Sequence, residues 1–252
     1  MPKITFSADA NAYRITLDDP PLHILDVAML GELRDAIARV SNDRHALILD
    51  AAGEKAFSAG ASVQDHLGDR VATMLSLFHD CFRALARLDL VTVALVRGAA
   101  LGGGCELALA CDFVLASDRA RFGQPEINLG VFPPVAAYQL SRQLPPRKGL
   151  ELLLTGEPVD AATAERLGIV NAVFASSEFD ARAEEWLARL YRQSASSVRM
   201  AKKAFRLAQA ADFEDRLARV ERLYLEELMK TGDANEGLHA FIEKRKPEWK
   251  NG

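Results

Sequence analysis

The stretch LVTVALVRGAALGGGCELALACD, residues 90–112, limits the fold more than any other. Its first part is a β-branched apolar run of buried-strand length. The strand ends near Arg97, and Gly102, Gly103 and Gly104 then open a helix that carries Glu106. The next segment, FVLASD, returns to strand. A buried strand, a glycine break, a helix and another strand in quick succession point to a layered α/β fold.

The flanking segments extend the alternation. KITFSADANAYRITLDDP predicts two strands joined by a turn at Asp9-Ala10-Asn11, with Ile4 and Phe6, then Tyr13, Ile15 and Leu17, on alternating positions. Val27, Leu30, Leu33, Ile37 and Val40 follow at helical spacing behind a candidate N-cap, Asp26. HALILDAAG reads as a short buried strand and KAFSAGASVQDHLGD as a loop. RVATMLSLFHDCFRALARLD reads as an amphipathic helix of the core and pocket wall rather than a membrane anchor. From about Pro158 the pattern becomes helix-rich, and the last sixty residues carry almost no strand signal. No linker or clean internal repeat divides the chain. The expected organisation is a core over residues 1–190 and a helical extension of the same unit over 191–252.

Composition bears mainly on what the chain is not. A formal charge of −4 without a basic block argues against a nucleic-acid groove or an anionic membrane surface as partner. No run of about 18 apolar residues is present to span a bilayer. The N-terminus lacks an apolar signal-peptide segment. Cys81, Cys105 and Cys111 form an odd set without metal spacing, read as reduced thiols in a cytoplasm. No metal site is expected.

The glycine run lacks the Gly-Lys-Ser/Thr of a nucleotide P-loop and the GxGxxG of a dinucleotide fold. Its glycines let a ligand approach the backbone, and the first N–H groups of the helix have no internal acceptor. Two opposed backbone donors of this kind suit an enolate-like oxygen. Close helix–strand packing explains the same glycines equally well. Glu106 has two readings as well. It is favoured in a first helical turn by the dipole alone. Set among Cys105, Leu107, Ala108 and Leu109, it is also desolvated toward the range of acid–base catalysis.

Four separated segments, KAFSAGASV (55–63), GAALGGGCELALACD (98–112), FGQPEINLG (122–130) and FIEKRKPEW (241–249), resemble the crotonase, or enoyl-CoA hydratase/isomerase, superfamily in order and spacing. The resemblance covers nearly the whole chain. It implies a spiral of ββα units with a helical C-terminal trimerisation region, and an acyl-CoA thioester as substrate. Coenzyme A is then part of the substrate, and no separate cofactor is implied. By position, the N–H groups of Ala61 and Gly103 form the oxyanion hole. Ala59, Ser62, Val63 and Gln64 lie on the coenzyme A side, with Phe241 and Lys244 reaching it from a neighbouring subunit. Many members carry aspartate where this chain has Ser62. Lys244 reads equally well as a solvated tail charge.

Both glutamates used by family hydratases are present, Glu106 and Glu126, which favours water addition over isomerisation. Two carboxylates sharing one water can supply both proton transfers, because close like charges separate their pKa values. After Glu126 the chain departs from the usual glycine-rich P-G-x-G-G. Phe132, Pro133, Pro134 and Val135 instead form a rigid wall expected to line the acyl pocket. This stretch, with GASVQDHLGD, resembles the subfamily that hydrates cyclohexa-1,5-diene-1-carbonyl-CoA. The prolines also read as a stiffened connection before the helix VAAYQLSRQL.

The alternatives are a double-bond isomerase on the same scaffold and a non-catalytic binder of acyl-CoA or RNA. His66 and His79 are further candidates for the pocket, with surface or packing roles favoured. Leu217, Val220, Leu223, Leu225 and Leu228 leave more apolar surface than a small extension should expose, so a homotrimer, or a hexamer of two trimers, is expected.

Overall fold

The computed structural model describes residues 2–66, 70–209, 226–227, 230–233, 236, 240 and 243–250. The five leucine and valine positions at 217–228 lie outside them. The chain divides into two compact units: residues 1–40, 46–88 and 92–184, and residues 41–45, 89–91 and 185–252.

The first unit begins with the expected hairpin, β1 (Ile4–Ala8) and β2 (Ala12–Leu17), paired antiparallel. The Asp9 carboxylate takes the N–H groups of Asn11 and Ala12 and closes the turn. Helix α1 (Val27–Ala38) starts at Asp26, whose side chain accepts the Met29 N–H. The helix buries Met29, Leu30, Leu33, Ala36 and Ile37.

Three successive units of two strands and a helix follow. The first is β3 (Ala46–Ala51), β4 (Ala56–Ser58) and α2 (Arg70–Arg87). The second is β5 (Val91–Val96), β6 (Ala99–Leu101) and α3 (Gly103–Leu109). The third is β7 (Phe113–Ser117), β8 (Arg121–Gly123) and α4 (Pro134–Gln143), with a short 3-10 turn at Pro125–Leu129 before the helix. Each long strand joins one sheet and each short strand another. Helices α5 (Pro146–Thr155) and α6 (Ala161–Leu167) complete this part with strands β9 (Val159–Asp160) and β10 (Ala172–Phe174). The sheets then run β1-β2-β3-β5-β7-β10 and β4-β6-β8-β9.

Three sequence expectations change here. The loop predicted at 55–69 contains β4, which pairs parallel with β6. The strand read as ending near Arg97 is followed by β6 before the glycine run. The helix-rich reading after Pro158 misses β10, which adds parallel to β7. Each of these strands has only three residues, too few for a period of two to show. They exist because a partner edge completes their hydrogen bonds.

The core of this unit includes Ile15, Leu17, Leu47, Leu49, Phe57, Val93 and Phe122, all 1% exposed or less. A charged cluster sits at its edge: Asp50, 6% exposed, bonds both Arg14 and Arg97. Such a buried carboxylate is tolerated because two guanidinium groups share it.

Helix α7 (Phe179–Tyr191) spans the boundary between the units, and α8 (Ala195–Ala208) belongs to the second. Ser194 caps α8 by accepting the Ser197 N–H. Its hydroxyl, with that of Ser196, also donates to the buried Asp233.

Candidate active site

The site grows from the start of α3. Gly102 has φ 51° and ψ −128°, a backbone region open to glycine alone. A Cβ on it would stand 2.5 Å from Glu126 Oε1. Glycine therefore lets the carboxylate of the 125–129 turn rest against the turn that opens α3. One helical turn on, the Glu106 N–H bonds the Gly102 carbonyl. The Glu106 backbone and the Glu126 carboxylate, twenty residues apart in sequence, thus meet the same glycine.

Glu106 is 3% exposed, and its Oε1 accepts the Ala136 N–H at 2.6 Å. Ala136 is the third residue of α4, where N–H groups have no helical acceptor. Glu106 therefore caps α4 and not its own helix. Burial pushes its carboxyl up to about 8, and the charge of Glu126 adds to the rise. The N–H groups of Ala136 and Val135 pull the other way. Glu126 is raised too, chiefly by burial, while its own N–H and the charge of His66 restrain it. Its Oε2 is buried with no hydrogen-bond partner among the described residues.

Ala61 reaches the same region from the other side. Leu25 forms a parallel bridge with it: the Leu25 N–H bonds Gly60 O at 2.9 Å, and the Ser62 N–H bonds Leu25 O at 3.3 Å. That pairing consumes the groups flanking Ala61 and turns its own N–H to the opposite side. Gly103 lies there: a Cβ on Gly103 would sit 3.3 Å from Ala61 N. Neither N–H donates to a described residue. The arrangement can offer two peptide donors to one oxygen beside two carboxylates.

The other residues singled out in the sequence divide. Ala59 and Ala61 are half-buried and Ser62 is 8% exposed. The Ser62 hydroxyl accepts the Asp65 N–H, so it caps the 3-10 turn at Gln64–His66. Val63 and Gln64 are exposed. Pro133 is buried and Val135 half-buried, whereas Pro134 is exposed and Phe132 is 65% exposed. Pro134 is the first residue of α4, where a missing N–H costs the helix nothing. Lys244 is exposed, in the left-handed region at φ 55°, in the second unit. Phe241 lies outside the described residues. His66 acts on Glu126 through its charge, and its Nδ1 bonds the Ser62 carbonyl at 2.8 Å. His79 instead faces the Phe78 ring on α2, and burial and Arg83 lower its pKa.

Two contributors escaped the sequence reading. Gly60 has φ 103°, and a Cβ there would press on Leu101 O at 2.9 Å and Gly103 N at 3.3 Å. Phe78 brings its ring edge within 2.9 Å of the same point on Gly103 that faces Ala61. The SAGAS glycine was a visible signal for the first. Nothing in one sequence marks which phenylalanine of a helix turns to a distant loop.

The comparisons identify the family and the fold. The model of the family described as enoyl-CoA hydratase/isomerase matches residues 7–252. The cyclohexa-1,5-dienecarbonyl-CoA hydratase of Thauera aromatica is 39% identical over 99% of this chain and 96% of its own. A short-chain-enoyl-CoA hydratase of Clostridium acetobutylicum is 35% identical over 93% of this chain and 92% of its own. The crystal structure of enoyl-CoA hydratase from Bacillus anthracis superposes with a TM-score of 0.93 at 30% identity, covering 99% of this chain and 100% of that one. The fold is that of the crotonases, and the chain belongs to the enoyl-CoA hydratase/isomerase family as an enoyl-CoA hydratase-like carbon–oxygen lyase.

Proposed function

We propose that this enzyme adds water reversibly to a cyclic conjugated thioester, cyclohexa-1,5-diene-1-carbonyl-CoA, using Glu106 and Glu126 on one water. The observation that carries the reading is the pair itself. The Glu126 carboxylate rests against Gly102, its charge acts on the Glu106 carboxyl, and burial raises both, the more buried one to about 8. In this reading the pair holds one proton, resident on Glu106, and Glu126 is the carboxylate. Glu126 then accepts a proton from water as its oxygen bonds the β-carbon. The π electrons move toward the thioester oxygen, held by the N–H groups of Ala61 and Gly103. Glu106 gives its proton to carbon. One C–O and one C–H bond form, one water is consumed, and the pair again holds a single proton.

The exposed Val63 and Gln64, with Ala59 and Ser62, suit the coenzyme A side, and Lys244 and Phe241 of a neighbouring subunit are proposed to reach it. Coenzyme A arrives as part of the substrate, and no separate cofactor enters. The ring preference is supported by the Thauera relative and by the rigid Pro133–Val135 stretch beside Glu106. A flat ring has less conformational freedom to lose against such a wall than a flexible chain. A homotrimer or hexamer fits the exposed Leu129, Phe132, Tyr138, Leu150 and Leu154, all at least half exposed in one chain.

The test is a product assay with crotonyl-CoA and cyclohexa-1,5-diene-1-carbonyl-CoA, read as the gain of one water in mass. The expected result is a hydroxyacyl product with the higher kcat/KM for the ring. Replacing Pro133–Val135 by a glycine-containing turn should shrink that preference. Double-bond migration without water gain contradicts hydration. A preference for crotonyl-CoA, or a ratio unmoved by the replacement, contradicts the ring-selective wall.

A further inference from the structure

The segment carrying Ala61 is held from behind by a chain of buried hydrogen bonds. His23 sits in the left-handed region at φ 48°, where a residue other than glycine needs local support. Its ring gives that support. Nδ1 accepts the Asp19 N–H at 3.1 Å, and Nε2 bonds the Ala52 carbonyl at 2.9 Å. A carbonyl only accepts, so the proton is on Nε2. The His23 carbonyl accepts the Ser58 hydroxyl at 2.7 Å, and the same hydroxyl oxygen accepts the Gly60 N–H at 3.1 Å. His23 is 1% exposed and Ser58 is fully buried.

This chain acts on the peptide that matters. The Ala61 N–H belongs to the planar Gly60–Ala61 peptide, and a trans peptide points its N–H opposite to its carbonyl. The Gly60 carbonyl is fixed by the Leu25 N–H, and the Gly60 N–H by Ser58. Both flanks of Gly60 are therefore pinned, and the Ala61 N–H has one direction left. Ser58 also touches the other donor's helix. A Cβ on Gly104 would collide with the Ser58 carbonyl and stand 2.7 Å from its Cβ.

We propose that Ser58, with His23 behind it, is a positioning residue of the oxyanion hole. Its hydroxyl aims the Ala61 N–H through Gly60, while its backbone spaces Gly103 through Gly104. The inference rests on the assignment of the Ala61 and Gly103 N–H groups to the thioester oxygen. Ser58 itself touches no reacting atom. Ser58→Ala keeps the contact with Gly104 and removes only the hydroxyl.

The experiment is isotope-edited infrared spectroscopy of butyryl-CoA labelled at the thioester carbonyl, bound to the full chain, together with hydration kinetics. The wild-type protein should lower the carbonyl stretch relative to free butyryl-CoA. Ser58→Ala should lose a large part of that lowering. Its kcat should fall about three- to tenfold, the scale of one neutral hydrogen bond, with KM little changed. His23→Asn, which tolerates the left-handed backbone but loses the ring bonds, should move the stretch the same way. The stretch is read on bound ligand, so a less stable variant still answers, and His23→Asn serves if Ser58→Ala does not fold. No lowering in the wild type overturns the oxyanion assignment and this inference with it. A wild-type lowering that both variants retain overturns the positioning role alone.

Discussion

Around Ala61 the geometry is written in backbone. Leu25 pairs with the groups on either side, Gly60 adopts φ 103°, and the groups facing Gly103 are peptide donors. Around Glu106 and Glu126 it is written in side chains. Glu106 accepts the Ala136 N–H, Glu126 Oε2 has no partner among the described residues, and Phe132 is 65% exposed nearby in sequence. In the proposed reaction the first region holds the thioester oxygen regardless of what is attached to it. The second then handles protons and meets the acyl group. A peptide N–H survives almost any substitution, so the shared chemistry rests on the backbone half. The side-chain half is where a substrate preference can change.

That contrast breaks first at the glycines. Gly103→Pro removes a donor, whereas Gly103→Ala keeps it and presses on Phe78 in a similar way. Losing one oxyanion donor costs about 2.7–4 kcal/mol, or roughly 10²–10³ in kcat. The alanine variant should lose far less. Equal losses would mean that space beside Phe78 matters and the N–H does not. Gly102→Ala crosses from one half to the other, since its Cβ would displace the Glu126 carboxylate. It should reproduce the kinetic defect of Glu126→Gln, at least about 10²-fold, the scale of a positioned acid or base. Wild-type hydration by Gly102→Ala would detach Glu126 from the site.

The smaller effect is on stability. The Glu106 carboxyl is raised to about 8, above its unfolded value, so between the two the folded chain holds a proton that the unfolded chain has released. Its contribution therefore falls as pH rises from about 4.5 toward 8 and then levels off. Glu106→Gln keeps an acceptor for the Ala136 N–H and removes the titration. The variant should gain Tm over wild type by a few degrees at pH 8, with less gain or none at pH 5. A difference in Tm that is the same at both pH values would mean that burial leaves this carboxyl unperturbed.

Much of this was legible in the sequence, for reasons that differ by residue. The hairpin at 4–17, α1 and the buried strand at 46–51 announce themselves by local periodicity and by Asp26, because their determinants lie within a few residues. Glu106 stood out by the glycines before it, and Glu126 by the crotonase resemblance. The ββα repeat came only through the crotonase resemblance, because its short strands β4, β6 and β8 share topology and not residues. Ser58 and His23 were silent too. Their meaning is a bond between residues 35 apart in sequence, and Ser58 reads alone as an ordinary loop serine. The cap that Glu106 places on α4 was likewise hidden. The carboxylate and the N–H it meets lie 30 residues apart.

The central claim is that two carboxylates serve one water, and a double-mutant cycle measures it directly. Hydration rates of wild type, Glu106→Gln, Glu126→Gln and the double variant are compared on one thioester. Each single variant should lose at least about 10², and the double variant should lose little more than the worse single, because the second group has nothing left to act on. Losses that multiply in the double variant, or a fully active Glu106→Gln, would contradict the shared water and return Glu106 to the role of a cap on α4.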